Sequence, residues 1–185
     1  MGWFSPVKGS YPSLAQVDKT LPVDESAKTI KRGTIVALST DSTGVSKEGV
    51  WKIATGAADE ILYVALQDYS DPTAGFAGSA FVPNPTDTHP ARPAITALDL
   101  AQDAEYETTE FDTTKDYTVG QKLYVGNGGV LTNVQGTSQL VGYVTSPAKD
   151  RWINNAIAVP EGETEQRLAY RTGATKTVLR FKTAL

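Results

Sequence analysis

Carboxylates concentrate in one short stretch of the sequence and are the first candidates for chemistry. The stretch contains Asp103, Glu105, Glu107, Glu110 and Asp112. Two acids that face each other across a cleft can hydrolyse a glycosidic bond, but neighbouring acids on one strand do not form a cleft. Glu105 and Glu107 point the same way on a strand. We therefore interpret the stretch as the acidic outer face of a sheet, with a hydrolase that uses Glu105 and Glu110 as an alternative hypothesis.

The only histidine, His89, lies two residues after Asp87 in a proline-rich region. It could act as a general base, but the sequence has no nucleophile in a recognisable setting such as Gly-x-Ser-x-Gly. Metal binding by His89 would require carboxylates from elsewhere in the chain. Asp68 and Asp71 lack the spacing of an EF-hand calcium loop. We predict no catalytic residue, no metal site and no cofactor, and a protein that is not an enzyme.

The glycine-rich run Gly126–Gly129 lacks the Gly-Lys-Ser/Thr ending of a phosphate-binding loop and precedes a predicted strand, not a helix. Strand-like runs flank it on both sides. Asn127 and Gly128 form a pair that tolerates positive φ at both central positions of a type I′ turn. The sequence therefore predicts a hairpin with a two-residue turn at these positions.

Length, charge and cysteine content limit the function classes. The 185 residues suffice for one good-sized domain, or for a compact domain with arms. A net charge of -4 and a pI near 5.0 argue against a nucleic-acid partner, since such binding depends on Lys and Arg. The absence of cysteine excludes disulfides and thiolate chemistry. We expect no membrane partner, because no signal-peptide pattern and no run of about 20 apolar residues is visible.

Strand-like runs extend along most of the chain. They lie at 30–38, 50–54, 61–66, 104–111, 122–126 and 129–134. Residues 71–94 are rich in proline and predict a long excursion. The pattern predicts an all-β domain over residues 30–163, either a small β-barrel or a sandwich.

The two ends of the chain differ from this domain. Residues 1–29 mix aromatic residues with prolines without regular spacing, so we predict an extended N-terminal arm. Residues 164–185 form a basic C-terminal segment, a C-terminal extension in which Glu165 is the only acid. This segment either seeks an acidic neighbour, such as the body of another copy, or forms a solvated edge strand at 175–181.

One pattern occurs twice. Residues 48–64 and 128–144 both show a glycine, a strand, a short glycine turn and a second strand. We interpret this echo as a repeated hairpin, typical of a barrel or sandwich built from two similar halves. The alternative is that all tight hairpins look alike.

The order of these features resembles the small β-barrel or β-tulip head decoration (cement) proteins of tailed bacteriophages. The resemblance rests on the aromatic arm, on Lys31–Val36, on a hairpin that closes on Val64–Leu66, on Tyr117–Val125 and on the closing Leu140–Val144. It implies a β-tulip-like fold and a virion protein, made in the host cytoplasm, that binds the capsid exterior at junctions between capsomers. The implied partners are the major capsid protein and further copies of the chain, as a dimer or trimer.

In this interpretation the arm and the C-terminal segment make the partner contacts, since aromatic side chains bury much apolar area per ordered residue. The candidate partner-binding residues are Trp3, Phe4, Tyr11, Leu14, Arg171, Arg180 and Phe181. The alternative is that the arm folds back on its own domain. A second function hypothesis is another virion component, in the neck, tail or head fibre, that binds host surface glycans.

Overall fold

The computed structural model describes residues 2, 4–6, 18–24, 27, 29–40, 49–70, 94–100, 104–153 and 174–184. These residues form thirteen β-strands and a short 3-10 turn at Asn127–Gly129, and none of them lies in an α-helix. The strands are β1 Phe4–Pro6, β2 Asp18–Pro22, β3 Thr29–Ile30, β4 Ile35–Ser39, β5 Val50–Ile53, β6 Leu62–Ala65, β7 Tyr69–Ser70, β8 Ala94–Asp99, β9 Glu105–Thr108, β10 Lys122–Val125, β11 Leu131–Thr132, β12 Leu140–Ile153 and β13 Ala174–Thr183. The prediction of an all-β protein is confirmed.

The strands form two large antiparallel sheets. The N-terminal sheet has five strands in the order β2-β8-β6-β4-β5, and the C-terminal sheet has six in the order β1-β9-β13-β12-β10-β11. β3 and β7 pair as a separate ribbon. Neither sheet closes into a barrel. Of the two predicted architectures, the structure agrees with the sandwich.

The two sheets repeat one arrangement of strands. If β1, β3 and β7 are set aside, each sheet has five strands in the spatial order first, fifth, fourth, second, third. The strands β2, β4, β5, β6 and β8 thus correspond to β9, β10, β11, β12 and β13. The described residues therefore contain two five-stranded units that have the same strand order.

Hydrogen bonds outside the ladders support the same correspondence. The N–H of Gly33 donates to Ala65 O at 2.8 Å, and the N–H of Ala65 donates to the carbonyl of the residue after Gly33 at 2.9 Å. In the second unit, the N–H of Gly120 donates to Val144 O at 2.8 Å, and the N–H of Val144 donates to the carbonyl of the residue after Gly120 at 2.9 Å. Both glycines have positive φ, 97° and 82°, and both occupy the turn before a central strand.

The echo in the sequence belongs to this repeat, but the predicted hairpins do not form. β5 and β6 both pair with β4, which lies between them. β11 and β12 likewise flank β10. The prediction of two similar halves is confirmed, and the pairing within each echo is wrong because the preceding strand already occupies the place between the two echoed strands.

Apolar side chains form two clusters on opposite faces of the N-terminal sheet. Ile35 and Val64 point into the core between the sheets, where they join Tyr106 and Phe181 of the C-terminal sheet. Their strand neighbours, such as Tyr63, belong to a second cluster. Since successive residues of a strand point to opposite faces, this second cluster lies on the far side of the N-terminal sheet.

The two units stack in the same sense. Trp51 and Leu131 are equivalent, because each makes an isolated parallel bridge to the segment that follows the first strand of its unit. Trp51 belongs to the second cluster, whereas Leu131 belongs to the core between the sheets. Ala65 and Val144 show the same relation. Corresponding faces therefore point the same way, as in stacked repeats.

The hairpin predicted around Asn127 is present, but its turn is different. The N–H of Gly126 donates to Val130 O at 2.7 Å, so the loop is longer than two residues. The positive φ angles fall at Gly128 (77°) and Gly129 (73°). A Cβ on Gly129 would lie 2.5 Å from Ile35 O. The type I′ prediction is wrong because the loop is shaped by its close approach to β4.

The described parts of the N-terminal segment are strands and not an irregular arm. β1 pairs with β9, and the Phe4 ring stacks on Tyr106 with ring centroids 4.8 Å apart. β2 pairs with β8, and Leu21 is buried in the second cluster. Here the segment folds back on its own domain, which was the alternative. Phe4 is a core residue, 1% exposed, which corrects its assignment as a partner-binding residue.

The C-terminal segment also belongs to the domain. β13 lies between β9 and β12, so the predicted edge strand is wrong, and the predicted boundary at residue 163 does not separate β13 from the domain. Leu179 and Phe181 are fully buried, whereas Arg180 and Lys182 alternate with them on the other face. This alternation suits a central strand that has one face in the core. Phe181 is therefore a core residue and not a partner contact.

Candidate functional site

The basic C-terminal segment meets acids of its own chain. Arg180 lies opposite Glu107 in the ladder between β13 and β9. Glu107 Oε1 accepts hydrogen bonds from Arg180 Nε at 2.9 Å and Nη2 at 2.5 Å, and also from Nη1 of Arg151 in β12. The side chain of Glu107 is only 9% exposed. This arrangement links three strands, as expected for charge-assisted hydrogen bonds to a shielded carboxylate.

The same face of the C-terminal sheet continues across β10. Lys182 lies opposite Glu105 on one side and opposite Tyr143 on the other. Lys122 lies opposite Tyr143. We call Lys122, Tyr143 and Lys182 the outer row. Both lysines are exposed, and Tyr143 is 39% exposed.

The other described acids of this stretch have structural contacts. The Thr145 hydroxyl donates to Glu105 Oε1, and the Thr109 hydroxyl lies 3.0 Å from Glu110 Oε1. Asp112 accepts hydrogen bonds from the hydroxyl and the backbone N–H of Thr114, which hold the pKa of its carboxyl below the usual value. The raised pKa that a general acid needs is therefore not found at Asp112. Asp103 and His89 lie outside the described residues.

Glu60 is another buried carboxylate, and it lies outside the acidic stretch that was predicted from the sequence. It ends the turn between β5 and β6, where its Oε2 accepts from Gly56 N at 2.7 Å and Thr55 N at 2.9 Å. Lys52 Nζ lies 3.1 Å from Oε1. Burial by itself raises the pKa of Glu60, but Lys52 and the hydrogen bonds from Gly56 and Thr55 outweigh it, so that the pKa lies below the usual value. Glu60 therefore stabilises a turn.

This turn also joins the two units. Gln139, in the second unit, donates its backbone N–H to Gly56 O at 2.8 Å. Its side-chain amide donates to Glu60 O at 2.9 Å. The turn that Glu60 closes is therefore part of the contact between the units.

A surface depression lies between the end of β5 and the loops of the second unit. Its lining includes Ile53, Thr55, Phe111, Asp112, Val134 and Ser138, with the backbone of the Gly126–Gly128 loop. Asp112 is the one ionisable side chain among the lining residues that the structure describes. The depression offers hydroxyl, amide and backbone groups, but no base beside a nucleophile.

The candidate partner-binding residues do not form one site in the described structure. Phe4 and Phe181 are buried in the core, and Arg180 binds Glu107. Trp3, Tyr11, Leu14 and Arg171 lie outside the described residues. The outer row was not identified from the sequence. The sequence pattern that could have indicated it is the alternation of polar and apolar residues. In β10 Lys122 is followed by the buried Leu123, and in β12 Tyr143 is followed by the buried Val144.

Asp68 has a backbone role. Its Oδ1 accepts from Arg32 N at 2.8 Å and from Gly2 N at 3.2 Å. Within the described part of the chain, no group of three His, Asp or Glu residues is arranged to hold a metal ion. No helix in the same part of the chain is long and apolar enough to cross a bilayer.

Comparisons of the chain with protein-family models, with curated proteins and with solved structures find no match.

Proposed function

We propose that this protein is a capsid decoration (cement) protein of a tailed bacteriophage. In this function it binds the outer surface of the head at junctions between capsomers and stabilises the shell. The observation that carries the proposal concerns the acids that the sequence offered as catalytic candidates. Where the structure describes these acids, they hold strands and turns together, as Glu107 does with Arg151 and Arg180. Such a molecule is a scaffold that presents surfaces to partners.

The resemblance to phage head decoration proteins supports the same proposal. Two of its motifs, Lys31–Val36 and Tyr117–Val125, include equivalent turn-and-strand segments of the two units. The partners proposed on this basis are the major capsid protein and other copies of the chain. Several copies held close together on a shell would bind firmly even if each contact were weak, because the effective concentration is high.

The test uses shells that lack this protein. Purified wild-type chain is added, and the bound copies per shell and the temperature at which the shell breaks open are measured. We expect binding that saturates at a fixed number of copies per shell, and a higher breaking temperature. Virions whose composition and heat resistance are unchanged after deletion of the gene would contradict the proposal.

A second candidate is a neck, tail or head-fibre component that binds host glycans. The exposed ring of Tyr143 favours it, because sugars stack on exposed aromatic rings. Labelling of the protein in intact particles separates the two candidates. A decoration protein covers the head in many copies, whereas a glycan-binding fibre protein is confined to a few positions.

A further inference from the structure

Because the two units are equivalent, the outer face of the C-terminal sheet corresponds to the face of the N-terminal sheet that packs in the core between the sheets. In the N-terminal sheet, Ile35, Val64 and Leu98 lie side by side across β4, β6 and β8. All three are buried in the core between the sheets. This apolar row is the surface on which the first unit packs against the second.

The equivalent places in the second unit are those of the outer row. Lys122 lies two residues after Gly120, as Ile35 lies two residues after Gly33. Tyr143 directly precedes Val144, as Val64 directly precedes Ala65. Lys122 and Lys182 lie on either side of Tyr143, as Ile35 and Leu98 lie on either side of Val64. A face that packs on a sheet in the first unit therefore bears two lysines and an exposed tyrosine in the second.

The charge of this face is opposite to that of the protein. Arg180 and Lys182 are at alternate positions of β13 and share the face with Arg151, Lys122 and Lys176. Val178, which lies between Lys176 and Arg180 on this face, is buried. Among the described residues of the C-terminal sheet, the acids found with them are Glu105 and Glu107 of β9. The chain as a whole has a net charge of -4. A cationic patch attracts an acidic surface.

We propose that the outer row is the docking surface for an acidic patch on the major capsid protein. This inference rests on the proposed function, and it names the face that meets the shell and the chemistry of the partner. The ammonium groups of Lys122 and Lys182 pair with carboxylates of that patch, and the Tyr143 ring packs against the partner between the two lysines. Tyrosine is enriched among the residues that dominate binding energy at protein interfaces.

The experiment compares two variants that have the same change in net charge. One is Lys122→Glu with Lys182→Glu. The control is Lys31→Glu with Lys115→Glu, since both of these lysines are exposed and lie outside the outer row. Binding to purified shells that lack the protein is measured at low and high salt. We expect the outer-row variant to bind at least about tenfold more weakly at low salt and the control to stay within about twofold.

Two further variants keep the test independent of folding. Lys182→Glu places a second acid opposite Glu105, so Lys122→Glu alone and Tyr143→Ser are measured as well. Urea unfolding identifies any variant that has lost stability. Each single variant is expected to weaken shell binding without a change in the unfolding midpoint.

The outcomes separate the two proposals. If wild-type protein binds shells and the outer-row variants bind equally well, the docking inference is wrong and the proposed function stands. If wild-type protein does not bind shells, the proposed function fails, and the inference fails with it. If the variants lose only self-association in analytical ultracentrifugation, the outer row is a contact between copies, which also overturns the inference.

Discussion

Alanine at two neighbouring glycines tests the contact between the units. Gly128 and Gly129 have similar φ angles, 77° and 73°, so an alanine side chain meets a similar backbone penalty of about 1 kcal/mol at either position. Their surroundings differ. A Cβ on Gly128 has nothing within 4 Å, whereas a Cβ on Gly129 would lie 2.5 Å from Ile35 O and 2.8 Å from Thr34 Cγ2.

The expected difference follows from this overlap. Carbon atoms pack best at about 3.5–4.0 Å, and forcing one extra carbon into a filled site costs about 1–3 kcal/mol. Gly129→Ala is therefore expected to lower the free energy of unfolding by about 2–4 kcal/mol, and Gly128→Ala by about 1 kcal/mol.

Urea unfolding measures both variants, followed by circular dichroism and by tryptophan fluorescence, to which the buried Trp51 contributes. With a slope of about 2 kcal/mol per molar urea, the two midpoints should differ by about 0.5–1.5 M. Equal midpoints would refute the close approach of the loop to β4, and with it the account of how the two units pack.

Four other changes test the remaining structural links. Glu107→Gln weakens the bonds from Arg151 and Arg180 and should lower the unfolding free energy by about 1.5–3 kcal/mol in urea, against less than 0.5 kcal/mol if the cluster is only a solvated surface. The lowered pKa of Glu60 stabilises the fold at pH values above the usual 4.5, and this contribution is lost as the pH falls below that value. In Glu60→Gln the urea midpoint should therefore fall less between pH 6 and pH 3 than in wild type. An equal fall in the two proteins would count against a stabilising role of Glu60 in the turn. Burial raises the pKa of Tyr117 from 10.0 to about 12, so the contribution of Tyr117 to stability is present below pH 10 and is lost as the pH rises toward 12. Tyr117→Phe should therefore show a smaller drop in urea midpoint between pH 9 and pH 11 than wild type. Phe4→Ala should cost about 3–5 kcal/mol if β1 stays docked on Tyr106, and an unchanged midpoint would show that β1 contributes nothing to the fold.

Parts of the fold were predictable because they depend on neighbouring residues. The runs at β5, β6 and β10 were located within a residue or two, since β-branched and aromatic residues with turn residues at both ends are a local signal. The echo of residues 48–64 in residues 128–144 also revealed a real repeat. The hairpins inside it were wrong because the sequence does not show that a third strand lies between two similar ones.

The candidate site was predicted only in part. The excess of acids in the stretch around Glu107 and the excess of cations in the C-terminal segment were visible, and an acidic neighbour was one of two stated alternatives for that segment. Opposite charges far apart in sequence do not reveal whether they pair within one chain or between copies. The register of β13 on β9 decides it, with Arg180 opposite Glu107.

By itself the sequence determined which residues share a face of a strand, because side chains alternate with period two. In β13 this placed Leu179 and Phe181 on one side and Arg180 and Lys182 on the other. Tertiary structure decided which side is buried and which strands are neighbours. Strand order depends on contacts between distant segments, and two equivalent units can place corresponding residues in different surroundings. For this reason Val64 is buried between the sheets while its counterpart Tyr143 lies on the surface.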